Sequence, residues 1–264
     1  MPGNAHFTSD GATATVTLDN PGRRNAVSYD LFTDLRAIVD SLRASDEVRT
    51  VVVTGAGADF SVGADLSGPP ESRTLRRDSV TRDVARLSEV SETVCAFYRL
   101  PQVTVAAIEG GCAGAGLSLA AAADFRIAGD GAVFNTAFLD VALSGDLGGV
   151  WFLNRVLDGA RSRQLFLDPR KLTAAEALQA GLLDAVSPSG EAISVARELA
   201  YRLSSRAPLA LRAMKQNLLQ AETESLEGYL VGEVERMVRC FHSDDAQEAG
   251  RAFIERRRPL FSGS

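Results

Sequence analysis

The feature that most constrains the fold is an alternation of short apolar runs with amphipathic helical repeats, which stops near residue 190. Apolar runs typical of buried strands occur at 49–55, 103–110 and 125–129. A helical repeat with apolar residues at steps of three and four extends from Val80 to Leu100, before Pro101. Later patterns are helical only, at 191–204, 208–221, 225–241 and 243–258. This order predicts an α/β core over 1–190 and a helical C-terminal region over 191–264.

Turn and capping residues mark the ends of several of these elements. Asp10 and Gly11 separate two strand-like runs and predict a hairpin. Ser28 precedes a helical repeat and is a candidate N-cap. Thr173 and Glu176 have the spacing of a capping box, which indicates that another helix begins there.

Composition excludes several classes of function. The 264 residues carry a net charge of −6 with a pI near 5.1, which disfavours chain-wide attraction to nucleic acid or to an anionic membrane. Two histidines give no basis for a histidine metal cluster, so we expect no metal. The N-terminus does not have the pattern of a signal peptide, and the three cysteines form no obvious disulfide framework. We therefore expect a cytoplasmic protein.

The stretch GGCAGAGLSLAAAAD, residues 110–124, joins a predicted strand to a helix of small residues. Gly111, Gly114 and Gly116 are in the wrong order for a dinucleotide fingerprint, and the phosphate-binding lysine of a P-loop is absent. Free backbone N–H groups at such a turn can stabilise a developing oxyanion. Alternatively, the small residues serve only to pack the helix against the sheet. This stretch alone leaves both interpretations open.

A second turn of small residues, FSVGADL at 60–66, also follows a predicted strand. Together with LDNPGRRNAVS, VVVTGAGADFSVGADL, PQVTVAAIEGGCAGAGLSLAAAADFRIAG and KLTAAEALQAGLLDAVS, it resembles the enoyl-CoA hydratase/isomerase (crotonase) superfamily. The resemblance spans nearly all of residues 10–190. It implies a ClpP/crotonase-like spiral of ββα repeats with a helical C-terminal trimerisation region, and assembly as a homotrimer or a dimer of trimers.

The resemblance also implies roles for particular residues. The backbone N–H groups of Ala64 and Ala115 would hold the oxygen of an acyl-CoA thioester. Coenzyme A would arrive as part of the substrate, with no other cofactor. Five residues of one subunit would bind it: Arg24, Ala26, Val62, Asp65 and Leu66. Phe253 and Arg256, in the C-terminal segment of a neighbouring subunit, would also contact it. The charged segment 67–79 is a candidate cover for the acyl group.

The catalytic acids differ from the hydratase pattern. At the two glutamate positions of that pattern the chain has Ser118 and Phe138, which we place in the acyl pocket. The remaining candidate is Asp146, at a position where some isomerases of the family carry an aspartate. An aspartate in an apolar pocket has a raised pKa that suits proton abstraction. The alternative is that Asp146 caps a helix that begins near Leu147.

The combined hypothesis is an acyl-CoA enzyme that stabilises a thioester enolate and isomerises an enoyl-CoA double bond, with Asp146 as acid and base. Fatty acid metabolism is the expected setting. Three alternatives stay open at this point. They are lyase-type hydration with a non-standard acid, a displacement in which Asp146 attacks an aromatic acyl-CoA, and an acyl-CoA-binding member without catalysis. The displacement uses a histidine elsewhere in the family, and the middle of this chain has none.

Overall fold

The computed structural model describes residues 3–264 and has two β-sheets surrounded by helices. The main sheet has the strand order β1-β2-β3-β4-β6-β9; β1 and β2 form the predicted antiparallel hairpin, and every later pair is parallel. A small sheet has the order β5-β7-β8. The strands are β1 Asn4–Asp10, β2 Thr13–Asp19, β3 Thr50–Gly55, β4 Val103–Ile108, β5 Gly111–Ala113, β6 Phe125–Gly129, β7 Val133–Asn135, β8 Leu172–Thr173 and β9 Ala185–Ser187.

The helices divide into those between the strands and those after the last strand. Between the strands lie α1 Tyr29–Ala44, α2 Val80–Tyr98, α3 Ala115–Ala121, α4 Gly149–Val156, α5 Gly159–Leu167 and α6 Ala174–Ala180. After β9 follow α7 Ala192–Ser204, α8 Pro208–Ala221, α9 Leu226–Phe241 and α10 Asp244–Glu255. Within residues 3–264, no helix is both long enough and apolar enough to cross a bilayer.

The predicted caps form because they satisfy backbone N–H groups that a helix start leaves free. The Ser28 hydroxyl accepts a hydrogen bond of 3.2 Å from the N–H of Leu31. Thr173 and Glu176 form a complete capping box at the start of α6. Both predictions are confirmed, and each depends only on residues within one helical turn.

The central strands are buried on both faces, as parallel strands usually are. Val51 and Val53 of β3 belong to the larger apolar cluster beside α1 and α2, whereas Val52 belongs to a second cluster on the opposite face. Ala196 and Ala200 of α7 complete that second cluster. The first helix of the C-terminal region thus covers one face of the main sheet.

A buried ion pair attaches α8 to the same core. The Lys215 ammonium donates to an Asp124 carboxylate oxygen and to the Gln102 carbonyl, both at 2.7 Å. Asp124 also accepts from the N–H of Thr104 at 2.7 Å. Burial lowers the pKa of Lys215, while the Asp124 charge opposes that shift. Removal of Asp124 would leave the buried Lys215 charge without its carboxylate partner.

Candidate active site

The two turns of small residues lie side by side. The N–H of Ser61 donates to the carbonyl of Gly111, and the N–H of Ala113 donates back to the carbonyl of Ser61, both at 3.0 Å. Gly116 packs directly on Ser61, where a Cβ would overlap the Ser61 carbonyl oxygen. Glycine is therefore required at this position of α3, because the turn 60–66 approaches its backbone so closely.

The backbone N–H of Ala64 forms no hydrogen bond with the neighbouring turn, which contains Val27. Ala64 pairs with Val27 in a parallel bridge, in which the N–H of Val27 donates to Gly63 at 2.7 Å and the N–H of Asp65 donates to Val27 at 2.9 Å. Since the flanking residues make both bonds of the bridge, the Ala64 amide points to the opposite side. Ala64 is one of the residues that line a cavity.

Ala115 contributes a second amide to the same cavity. It is the first residue of α3, and the N–H groups of a first helical turn have no partner within the helix. The preceding residue, Gly114, has φ 49° and ψ −123°, a backbone conformation that glycine adopts readily. Ala64 and Ala115 both line a cavity of about 500 Å³. The structure thus brings the two predicted oxyanion residues to one space.

Asp146 lies on the wall of this cavity, in the turn before α4. Burial raises the pKa of its carboxyl group to about 6. Within residues 3–264, its Oδ1 is buried and accepts no hydrogen bond. A buried acceptor without a partner costs free energy, and such groups are frequent at functional sites.

The interpretation of Asp146 as a helix cap is wrong. α4 begins at Gly149, and its N-cap is Gly148, which is in the left-handed region at φ 76°. The cap has no side-chain hydrogen bond. The Asp146 carbonyl, rather than its carboxylate, accepts from the N–H of Gly149 at 2.9 Å. The carboxylate is therefore available for chemistry in the cavity.

The structure does not bring Ser118 and Phe138, which we had placed in the acyl pocket, to the cavity wall. Ser118 is buried on the side of α3 that packs against Gly149. The Phe138 ring stacks on Phe166 with ring centroids 6.3 Å apart. Each side chain is directed by packing against a later helix, which the sequence spacing does not show.

The predicted coenzyme A residues of the core lie on two adjacent turns, at 22–27 and 62–66. A hydrogen bond of 3.3 Å, from the Val62 N–H to the Arg24 carbonyl, connects the two turns. The Arg24 guanidinium forms a two-bond ion pair with Asp59, at 2.7 and 2.8 Å, which lowers the pKa of that carboxyl. Its side chain remains 63% exposed, so further donors face solvent. Ala26 is buried and contributes backbone only.

The other two residues of these turns differ in exposure. Asp65 is buried, and its Oδ1 accepts from the N–H of Gly68 at 2.7 Å and from Arg23 at 3.2 Å. Its side chain therefore holds the turn in shape. Leu66 is exposed beside it and lines the cavity.

Phe253 and Arg256 lie at the end of α10, outside the cavity lining of their own chain. Phe253 is 86% exposed, and Arg256 ends the helix in the left-handed region at φ 54°. Their predicted contact with coenzyme A requires a neighbouring subunit, and it stays a prediction.

Sequence analysis missed most of the remaining cavity wall. Leu87 and Val90 of α2 line it, and so do Val141, Leu143 and Leu147 from the segment before α4. Three arginines of segment 67–79, Arg73, Arg76 and Arg77, complete this part of the wall. The sequence had indicated segment 67–79 as a cover for the acyl group, and residues 73–77 of that segment line this cavity.

Comparison with known proteins identifies the family. The family model for enoyl-CoA hydratase/isomerase matches residues 8–264. A carnitinyl-CoA dehydratase from Citrobacter koseri is 32% identical over 269 residues, covering 100% of both chains. The crystal structure of an enoyl-CoA hydratase from Polaromonas sp. JS666 has a TM-score of 0.91 at 32% identity, covering 98% of this chain and 100% of that one. An enoyl-CoA hydratase from Bacillus anthracis has a TM-score of 0.92 at 28% identity, covering 99% and 100%.

The chain is an acyl-CoA enzyme by class, built on the crotonase fold. It belongs to the enoyl-CoA hydratase/isomerase family.

Proposed function

We propose that this protein isomerises the double bond of an enoyl-CoA, with Asp146 as the acid and base. The observation that carries the proposal is the single cavity shared by Ala64, Ala115 and the Asp146 carboxylate. The raised pKa of Asp146, about 6, supports it, because such a group accepts and returns a proton near neutral pH.

The reaction proceeds in two proton transfers on a 3-enoyl thioester. The Asp146 carboxylate removes a proton from the α-carbon, and the C–H electron pair moves into an enolate whose oxygen accepts hydrogen bonds from the Ala64 and Ala115 amides. The protonated Asp146 then delivers the proton to the γ-carbon, and the double bond moves to the 2-position. Atoms and electrons balance without an added metal or cofactor, and coenzyme A enters as part of the substrate.

The same proposal includes a homotrimer or a dimer of trimers, because α9 presents an apolar face and α10 presents Phe253 at the surface. Three free cysteines, Cys95, Cys112 and Cys240, favour a reducing, cytoplasmic compartment. Fatty acid metabolism is the setting that fits an enoyl-CoA substrate.

Hydration of a 2-enoyl-CoA is the second candidate, because relatives of this chain bear the names hydratase and dehydratase. In that reaction Asp146 would take a proton from a water molecule, instead of from the α-carbon of the substrate. Asp146 is the one carboxylate of the cavity lining that is not paired with an arginine, which favours isomerisation, since hydration needs one group to activate water and another to deliver a proton.

The test compares purified wild type, Asp146→Asn and a matched control, Asp140→Asn, on 3-hexenoyl-CoA and 2-hexenoyl-CoA. Asp140 is exposed and lies outside the cavity lining. We expect wild type and the control to isomerise 3-hexenoyl-CoA, and Asp146→Asn to lose roughly 10²–10⁴-fold in kcat while it still binds acyl-CoA.

Two results would overturn isomerisation. Faster hydration of 2-hexenoyl-CoA than isomerisation of 3-hexenoyl-CoA by wild type would identify a hydratase. Tight acyl-CoA binding with no turnover on either compound would identify a binding protein.

A further inference from the structure

Three arginines of segment 67–79, Arg73, Arg76 and Arg77, line the proposed catalytic cavity. A cavity built only for a hydrocarbon chain has no use for cationic side chains, because apolar contacts supply its affinity. Their guanidinium groups therefore raise the question of which anion they face.

None of the three guanidinium groups forms an ion pair with a carboxylate anywhere in residues 3–264. Arg73 Nε donates to the Gly68 carbonyl at 2.8 Å, which leaves its two terminal nitrogens without a partner in that range. Arg76 donates to the carbonyls of Arg73 and Glu71, so it holds the segment together. The Arg77 guanidinium donates to no group of the described chain.

Carboxylates near these arginines already have other partners. Asp83 accepts from the backbone N–H groups of Arg76 and Arg77, both at 2.9 Å, and its charge is paired with Arg86. Asp65 is paired with Arg23 at 3.2 Å. Asp146 is the one remaining carboxylate of the cavity lining, against three cations. The formal charges of the lining balance, but Asp65 and Asp83 are paired with arginines outside it, so the charges of Arg73, Arg76 and Arg77 have no carboxylate partner.

We propose that the acyl group of the substrate carries a carboxylate at the end remote from the thioester, and that Arg73 and Arg77 bind it. This inference rests on the proposed function, since it uses the same cavity. The guanidinium group binds a carboxylate through two parallel N–H bonds, which gives both affinity and orientation. Apolar side chains, among them Leu87 and Val90, line the space for the intervening hydrocarbon.

The phosphates of coenzyme A are a second anion that arginines could bind. Three of the predicted coenzyme A residues of the core, Arg24, Ala26 and Val62, lie outside the lining of this cavity, whereas Asp65 and Leu66 belong to it. The acyl carboxylate is favoured because Arg73 and Arg77 line the same cavity as Asp146, the candidate acid that acts on the acyl carbons.

The test measures binding of adipoyl-CoA and hexanoyl-CoA by calorimetry. These saturated thioesters have the same chain length and differ only in the terminal carboxylate, and neither can be isomerised. The variants are Arg73→Gln, Arg77→Gln and the double variant, with Arg82→Gln as control. Arg82→Gln removes the same charge from a neighbouring part of the chain, but the Arg82 side chain is 74% exposed and does not line the cavity.

We expect wild type and Arg82→Gln to bind adipoyl-CoA at least about tenfold more tightly than hexanoyl-CoA, as a charge-assisted hydrogen bond predicts. In the double variant the ratio of the two Kd values falls to about one, and Arg77→Lys retains part of the preference. Thermal unfolding of each variant shows whether the fold is intact.

Three results would overturn the inference. Equal binding of the two thioesters by wild type would exclude carboxylate recognition. Equal weakening of both by the double variant would place the arginines on the coenzyme A phosphates. Tighter binding of a thioester with a terminal trimethylammonium group would reverse the sign of the recognised charge.

Failure of the proposed function gives a different pattern. A preference for adipoyl-CoA that persists while no enoyl-CoA is turned over would refute catalysis and leave carboxylate recognition standing. Absence of binding to either thioester would refute both.

Discussion

The Ser118 hydroxyl donates a hydrogen bond of 3.2 Å to the main-chain carbonyl of Asp146. The same hydroxyl lies 3.3 Å from the Gly114 carbonyl, at the start of its own helix. Gly149 packs on this hydroxyl so closely that a Cβ there would overlap it. Ser118 therefore connects the oxyanion turn to the turn that carries the candidate acid, and it is a positioning residue.

The first prediction concerns this connection. Ser118→Ala removes one buried hydrogen bond, so we expect a loss of about 1 kcal/mol in the free energy of unfolding and a several-fold lower kcat. A looser turn also admits water to Asp146, which moves the midpoint of the pH–activity curve down from about 6. The control is Ser91→Ala, whose hydroxyl bonds the Leu87 carbonyl within α2 at 2.7 Å. A purely structural role would lower stability and leave that midpoint in place.

The second prediction is the pH dependence of isomerisation. Burial raises the pKa of Asp146 to about 6, and proton abstraction requires the carboxylate form. We therefore expect kcat/KM for 3-hexenoyl-CoA to rise with pH through about 6 and to level off above 7. Initial rates between pH 4.5 and 8 measure the curve. A profile that is flat between pH 5 and 7 would show that this carboxyl does not titrate in the reaction.

The third prediction concerns stability. In the unfolded chain the Asp146 pKa is about 4, below its folded value of about 6, so the folded protein binds the proton more tightly. Ionisation of Asp146 therefore destabilises the fold as pH rises from about 4 to 6. Asp146→Asn does not ionise, and we expect it to be more stable than wild type at pH 8 by at most about 3 kcal/mol.

Chemical denaturation of wild type, Asp146→Asn and Asp140→Asn at pH 4 and pH 8 measures this difference. The gain should fall to about 0.4 kcal/mol at pH 4, where the carboxyl is protonated in the folded protein and half ionised in the unfolded chain. Asp140 is exposed, so its amide variant serves as the control for the general loss of an acid. An equal gain at both pH values would mean that ionisation of Asp146 is not its cause.

Local signals predicted much of the fold. Ser28 and Thr173 act as caps, and Asp10–Gly11 turns the hairpin, because each depends on bonds within a few residues. The small sheet was missed, since β5, β7 and β8 have two or three residues each and pair only across long stretches of chain. Length and periodicity carry no signal for such strands.

The site shows the same division between local and distant contacts. The family resemblance of the two turn sequences implied Ala64 and Ala115, and the structure brings both residues to one cavity. The contact of Ser118 with Asp146 depends on how α4 docks against α3, which no spacing in either segment encodes. Residues on both sides of Asp146 adopt left-handed conformations without glycine: Ala142 at φ 57° and Leu147 at φ 49°. Sequence propensity argues against such conformations, so tertiary packing must impose them.

The fourth prediction concerns assembly. α9 presents a row of exposed apolar side chains, in which Val231 is 74% and Phe241 68% exposed. If this face joins subunits, wild type should have three or six times the 28.0 kDa mass of one chain by light scattering. Val234→Glu places a charge in the row and should dissociate the assembly. Val80→Glu, at an 83% exposed position at the start of α2 and outside this row, should not. A monomeric wild type would contradict the prediction.

The last prediction tests the oxyanion site through the backbone itself. Ala115 is the first residue of α3, a position where proline is tolerated because its missing N–H has no partner in the helix. Ala115→Pro thus deletes one amide donor of the site, and we expect kcat to fall about 10²–10³-fold with the fold retained. Ala115→Gly changes the side chain but keeps the N–H, so its loss should be far smaller. Equal losses in the two variants, with circular dichroism unchanged, would show that the cavity shape at Ala115 matters and its amide does not.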